Sequence, residues 1–133
     1  MIDVNDPILK DNKDYQDFLN NNKGVGFIKI RASSAKSAVP ISNMDIIISK
    51  EIGKYNVIFY KGKTDESGMI NDITVPACNK KLSDLKEPIC SIYKIEAIYK
   101  KDNIDTFYDV KVYDGITTIQ YINVISNIRG IYD

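Results

Sequence analysis

The segment from Lys61 to Ala77, KGKTDESGMINDITVPA, contains the residues of this chain that come nearest to a cation site. Two adjacent acids, Asp65 and Glu66, precede a glycine, and carboxylate oxygens are ligands that calcium prefers. A calcium loop needs several oxygens converging on one ion, whereas adjacent side chains of an extended chain point to opposite faces. Asp near the start of a turn, with Gly where φ is positive, is ordinary turn chemistry. We therefore predict no metal site, and a structural turn at Thr64, Asp65 and Gly68.

Nucleophilic catalysis finds little support in the residue types. The chain has no histidine, which removes Ser-His-Asp and Cys-His arrangements and the commonest metal ligand. Ser33 and Lys36 match the S-x-x-K spacing, but the S-D-N partner motif is missing and the pair follows a strand-like run. Carboxylate pairs that cleave glycosidic bonds need a deep cleft, which a small domain rarely offers. We predict a protein that is not an enzyme and needs no cofactor, with an enzyme as an open alternative.

The composition predicts one soluble domain without a nucleic-acid partner. The 133 residues suffice for a single hydrophobic core, and 44% hydrophobic with 27% charged residues is typical of globular proteins. The eighteen basic residues are balanced by eighteen acidic ones. The chain therefore has no excess positive charge that would attract nucleic acid or an anionic membrane.

The absence of targeting signals predicts a cytoplasmic location. No basic stretch followed by an apolar one opens the chain, and no run approaches the roughly eighteen apolar residues of a membrane span. Spore association stays open, because proteins of layers assembled inside a mother cell need no signal. Cys78 and Cys90 bracket a polar loop and form either a disulfide or two thiols; a cytoplasmic location favours thiols.

From Gly24 onward the hydrophobic residues recur with period two, which predicts strands. The seven predicted strands are GVGFIKIRAS, MDIIISKEI, NVIFYKGK, the run through Ile73 and Val75, SIYKIEAIY, TFYDVKVY and TTIQYINVI. Seven short strands separated by turn signals favour an all-β sandwich or barrel. We divide the chain into an N-terminal arm with a short helix at Asp14 to Asn20 (1–23), a β domain (24–126) and a tail (127–133).

The last two strands supply a turn and a candidate binding patch. Asp114 and Gly115 suit a tight hairpin, because glycine accepts positive φ without steric cost. Tyr113 and Tyr121 each lie on the face that their strand would otherwise show to water. If they are exposed together, they form a patch that binds a partner.

The order of these segments resembles a known group of domains. GFIKIRAS leads into AVPISNMDIIIS, VIFYKGKTDESGMINDITVPA, YKIEAIY and YDVKVYDGITTIQYINVI. This order is similar to the carboxypeptidase-regulatory-like domains of the transthyretin-like (prealbumin-like) group, as found in spore-forming Gram-positive bacteria. The likeness covers about Phe18 to Ile125, and its most specific parts are Ala38 to Ile41 and Thr64 to Gly68. Asn43 stands where such domains often have glycine.

The resemblance implies an antiparallel Greek-key β-sandwich of about seven strands that acts as a non-catalytic binding or assembly module. Its implied partner is a protein or a polymer of the cell envelope or spore. The alternatives are homo-oligomerisation through strand edges and a cell-wall hydrolase. The hydroxyisourate hydrolases of the same fold group depend on histidines, which this chain lacks. Related surface domains form a Lys-Asn isopeptide bond; Lys29, Asn123 and Glu96 lie on suitable strands, but the alternation puts Lys29 and Glu96 on polar faces.

Overall fold

A computed structural model describes residues 1–34, 39–79 and 91–124. Within these ranges the chain forms nine strands and one α-helix, so the predicted all-β class is confirmed. The elements are β1 (Ile2–Asp3), α1 (Lys13–Asn21), β2 (Gly24–Ser34), β3 (Val39–Pro40), β4 (Asp45–Ile52), β5 (Tyr55–Lys63), β6 (Met69–Ala77), β7 (Ser91–Tyr99), β8 (Ile104–Val112) and β9 (Thr117–Val124). The seven longer strands correspond to the seven predicted ones. Lys36, Cys90 and the tail 127–133 lie outside the described residues.

The strands form two sheets that are mixed, so the prediction of purely antiparallel pairing is wrong. The first sheet has the order β1-β5-β4-β7-β8, with β1 parallel to β5. In the second sheet β2 pairs antiparallel with β6 on one side and parallel with β9 on the other. The short β3 pairs with Ser33 and Ser34, beyond the end of β6.

The turn between β8 and β9 crosses from one sheet to the other, so Asp114 and Gly115 do not close the predicted hairpin. The turn is held by β2 instead. The Asp114 carboxylate accepts a hydrogen bond from the Val25 amide at 3.0 Å, and the Gly115 amide donates to the Val25 carbonyl at 2.8 Å. The next strand therefore starts beside β2, and this produces the parallel pair.

One hydrophobic core lies between the sheets. It joins Ile28 and Ile30 of β2 to Ile46 and Ile48 of β4, all of them buried. Tyr93 of β7 is also buried, and its hydroxyl donates to the carbonyl of Pro76 on β6, which ties the two sheets together. Burial, followed by the charges of Cys78 and Tyr15, raises the pKa of the Tyr93 hydroxyl above its ordinary range.

The helix α1 covers one end of this core. It begins at the N-cap Asn12, whose side-chain oxygen accepts from the Tyr15 amide at 2.9 Å. Its buried Phe18 packs against Phe59 of β5 with the ring centroids 5.8 Å apart. No helix in the described ranges is long and apolar enough to cross a membrane.

Candidate functional site

The TDESG segment forms the turn between β5 and β6. The Asp65 carboxylate accepts from the amides of Ser67 and Met69, each at 2.9 Å, and Gly68 has a φ of +75°. Thr64 is buried and its hydroxyl donates to the Ile41 carbonyl at 2.7 Å. One oxygen of the Asp65 carboxylate thus accepts hydrogen bonds from two backbone amides of the same turn. Over the described ranges, no three acidic, Cys or His side chains are grouped so that they could hold a metal ion.

Tyr113 directly follows β8, whereas Tyr121 lies within β9. Tyr113 precedes the crossing turn near Gly26, whereas Tyr121 is paired with Arg31, five residues further along β2. Five residues of strand span about 16 Å, so the two tyrosines do not form one compact patch. Tyr121 is exposed and Tyr113 is half-buried.

Tyr121 belongs instead to a larger surface, which we call the outer face. This face is the solvent side of the β6-β2-β9 sheet, formed on β2 and β9 by Phe27, Lys29, Arg31, Thr117, Ile119 and Tyr121. In the parallel register Phe27 lies beside Thr117, Lys29 beside Ile119, and Arg31 beside Tyr121. Three of its apolar side chains are substantially exposed: Phe27 at 36%, Ile119 at 44% and Tyr121 at 53%. The outer face therefore combines exposed apolar groups with two cations.

A β-bulge in β6 adds polar groups to the outer face. Ile28 pairs with Ile73 and Ile30 with Ile70, so Lys29 alone faces two residues, Asn71 and Asp72. Asp72 has a φ of +62°, which is uncommon for a residue with a side chain. As a result both Asn71 and Asp72 are exposed while Ile70 and Ile73 stay buried.

The bulge at Asn71 and Asp72 was not predicted from the sequence. The sequence feature that indicates it is the pair Asn71 and Asp72 between Ile70 and Ile73. Two consecutive polar residues interrupt the period of two in an otherwise alternating strand. The bulge borders a cleft of about 490 Å³ on the outer face. The cleft is lined by Phe27, Ile28, Lys29, Asn71, Asp72 and Thr117.

A second, smaller cleft of about 280 Å³ lies on the other sheet. It contains both cations and anions, among them Lys94 and Asp109. On the same sheet, burial is the largest cause that raises the pKa of Glu96, followed by the hydrogen bond with and the charge of the Asp105 carboxyl group, while Lys94 opposes the rise.

The remaining sequence candidates are dispersed. Lys29 pairs with Ile119, whereas Asn123 pairs with Ser33, so the two lie four positions apart along β2 and β9. Glu96 belongs to the other sheet. These three residues are therefore not brought together as an isopeptide bond would require. Cys78 lies 3.7 Å from the Ser91 hydroxyl and 3.5 Å from the Asn22 side-chain oxygen.

The chain matches no family model and no curated protein. Among solved structures it is similar to the Bacillus anthracis TIE protein, with a TM-score of 0.51 and 15% sequence identity. The similarity covers 77% of this chain and 17% of that chain. At this identity the similarity concerns the fold alone.

Proposed function

We propose that this chain is a non-catalytic binding module that attaches to cell-envelope or spore material through its outer face. The observation that carries the proposal is the exposure of Phe27, Ile119 and Tyr121 on the same face of the paired strands β2 and β9. Exposed apolar groups that adjoin one another are typical of interaction surfaces. The cations Lys29 and Arg31 beside them add donors for a polar partner.

The proposed architecture is a transthyretin-like Greek-key sandwich of the carboxypeptidase-regulatory-like type. It is supported by the two sheets that share one core and by the repeated crossings of the chain between them, at β1 to β2, β3 to β4, β5 to β6, β6 to β7 and β8 to β9. Such crossings are typical of Greek-key sandwiches. The sequence resemblance contributes the assignment to envelope and spore material, and this part of the proposal is an analogy.

Co-sedimentation tests the attachment directly. The purified protein is mixed with peptidoglycan sacculi, spore cortex or spore coat fractions, and an inert protein of similar size serves as the control. We expect saturable pelleting with at least one fraction. Tyr121→Ala should weaken it, whereas Phe107→Ala, which removes an exposed aromatic ring from the other sheet, should not. Pelleting no greater than that of the inert protein would refute envelope binding.

Homo-oligomerisation is a second candidate, favoured by the position of β9. In the described part of the chain β9 pairs with β2 alone, which leaves its other edge without a strand partner. Unpaired strand edges invite pairing with another copy. Static light scattering over a hundredfold range of concentration tests this candidate, because a constant monomer mass would exclude it.

A further inference from the structure

The cleft beside the β6 bulge differs in chemistry from the rest of the outer face. Its lining combines the aromatic Phe27 with four residues that have polar side chains, Lys29, Asn71, Asp72 and Thr117. Its volume of about 490 Å³ lies in the range of small-molecule sites. The cleft therefore offers one flat apolar surface within a ring of hydrogen-bonding groups.

The four polar side chains of the cleft have unused hydrogen-bonding capacity. In the described ranges neither an ion pair nor a side-chain hydrogen bond engages Lys29, Asn71, Asp72 or Thr117. Together they provide both donors and acceptors. They are available to a ligand without breaking any interaction of the fold.

The charges of the cleft favour a neutral ligand. Lys29 and Asp72 carry opposite charges and stand on adjacent strands at the bulge, so the cleft has no net charge to attract a phosphate or a polyanion. A ligand that suits it must instead both donate and accept hydrogen bonds. It must also present a flat apolar face to Phe27.

The backbone at Asp72 gives a further reason to assign a role to the cleft. A φ of +62° is an unfavourable conformation for a residue with a side chain, and such conformations cluster at functional sites. Without the bulge, strict alternation would direct Asp72 into the core. The bulge thus keeps Asp72 exposed and among the residues that line the cleft.

From these observations we propose that the cleft binds an uncharged pyranose ring of a polysaccharide. The C–H face of a pyranose is apolar and flat enough to stack on Phe27, and its hydroxyl groups both donate and accept hydrogen bonds. Asp72 accepts from these hydroxyls, Lys29 donates to them, and Asn71 and Thr117 do both. This inference rests on the proposed binding of envelope material and names the component recognised as the glycan.

NMR titration of the ¹⁵N-labelled chain tests the inference. The probes are peptide-free glycan strands released from peptidoglycan by an amidase, whose N-acetylglucosamine rings are uncharged although their muramic acid rings carry a lactyl carboxylate, together with the released stem peptides and soluble chitooligosaccharide, xylan and β-glucan. We expect saturable shifts with the glycan strands or with one of the neutral polysaccharides, centred on the β2 and β6 amides that border the bulge. Shifts with the stem peptides alone would overturn the glycan assignment, and so would the absence of shifts with every sugar probe.

Two variants test whether the glycan binds in the cleft or elsewhere on the outer face. Phe27→Ala should weaken glycan binding at least tenfold, with Phe107→Ala as the matched control. Asp72→Gly removes the carboxylate but tolerates the positive φ, so it should bind at least fivefold more weakly while unfolding at an equal or higher temperature. If both variants bind the glycan like the original chain, the cleft is not the site.

The co-sedimentation experiment distinguishes a failure of this inference from a failure of the proposed function. Pelleting that both variants leave unchanged would retain envelope binding and overturn the cleft assignment. Shifts with chitooligosaccharide, xylan or β-glucan, without pelleting, would retain the cleft as a sugar site and overturn the attachment to envelope material.

Discussion

The Thr64 hydroxyl accepts a hydrogen bond from the Met44 amide at 3.0 Å and thereby joins the end of β5 to the start of β4. The same hydroxyl donates to the Ile41 carbonyl, and both bonds are buried. Thr64→Val keeps the shape but leaves an amide and a carbonyl without partners, so it should lower the free energy of unfolding by about 2–4 kcal/mol. Urea denaturation provides the measurement.

Thr64→Ser and Thr74→Val are the controls for this prediction. Serine keeps the hydroxyl at position 64, and Thr74 is exposed on β6, so each change should cost less than about 1 kcal/mol. A Thr64→Val variant as stable as Thr74→Val would show that the two buried bonds contribute nothing measurable.

Gly68 and Gly115 form a matched pair that tests how much steric overlap of an added Cβ lowers the free energy of unfolding. Their φ angles are nearly equal, at +75° and +74°. A Cβ at Gly68 would overlap the Ala32 carbonyl oxygen, whereas a Cβ at Gly115 would meet no heavy atom within 4 Å. Gly115→Ala should therefore cost about 1 kcal/mol of unfolding free energy, from the left-handed conformation alone. Gly68→Ala should cost about 3 kcal/mol or more, as backbone atoms must also move. Equal losses in urea denaturation would contradict this explanation.

Asp65 gives a test that separates a turn from a cation site. Asp65→Ala removes an acceptor shared by two amides and should lower the free energy of unfolding by about 1–2 kcal/mol, whereas Asp65→Asn keeps an acceptor and should lose less. Glu66→Ala, at the adjacent exposed acid, should change stability by less than about 0.5 kcal/mol. The melting temperature should be the same in millimolar calcium and in EDTA. A rise in calcium that Asp65→Ala abolishes would establish a calcium loop.

The sequence predicts the strands better than their partners. Period-two alternation is a local property, and it locates all seven longer strands, whereas β1 and β3 have two residues each and are too short to show a period. The pairing of β9 with β2 depends on contacts distant in sequence. A Cβ at Gly24 would lie 2.5 Å from the Asp114 carboxyl carbon, and one at Gly26 would overlap Val112. These glycines let the crossing turn approach β2, but their spacing does not say which segment approaches.

The candidate site was predictable in part for the same reason. Alternation placed Phe27 and Tyr121 on the polar sides of their strands, where both are exposed. It could not place Thr117 beside Phe27, because that proximity exists only in the parallel pair. It also grouped Tyr113 with Tyr121, since a pattern within single strands does not report the distance between positions on different strands.

Glu96 should make stability depend on pH in a defined direction. Because its pKa is raised in the folded protein, mainly by burial and then by Asp105, the folded state holds this proton more tightly than the unfolded state does. The resulting contribution is fully present below the ordinary pKa of glutamate and is lost as the pH rises through the raised value. The free energy of unfolding, measured with urea from acidic to neutral pH, should therefore fall for the original chain relative to Glu96→Gln, whose amide can still donate to Asp105. Glu51→Gln on β4 controls for the loss of one negative charge and should not reproduce the trend. If the free energy of unfolding of the original chain instead rises with pH relative to that of Glu96→Gln, the fold stabilises the Glu96 anion. Lys94 would then outweigh burial and Asp105.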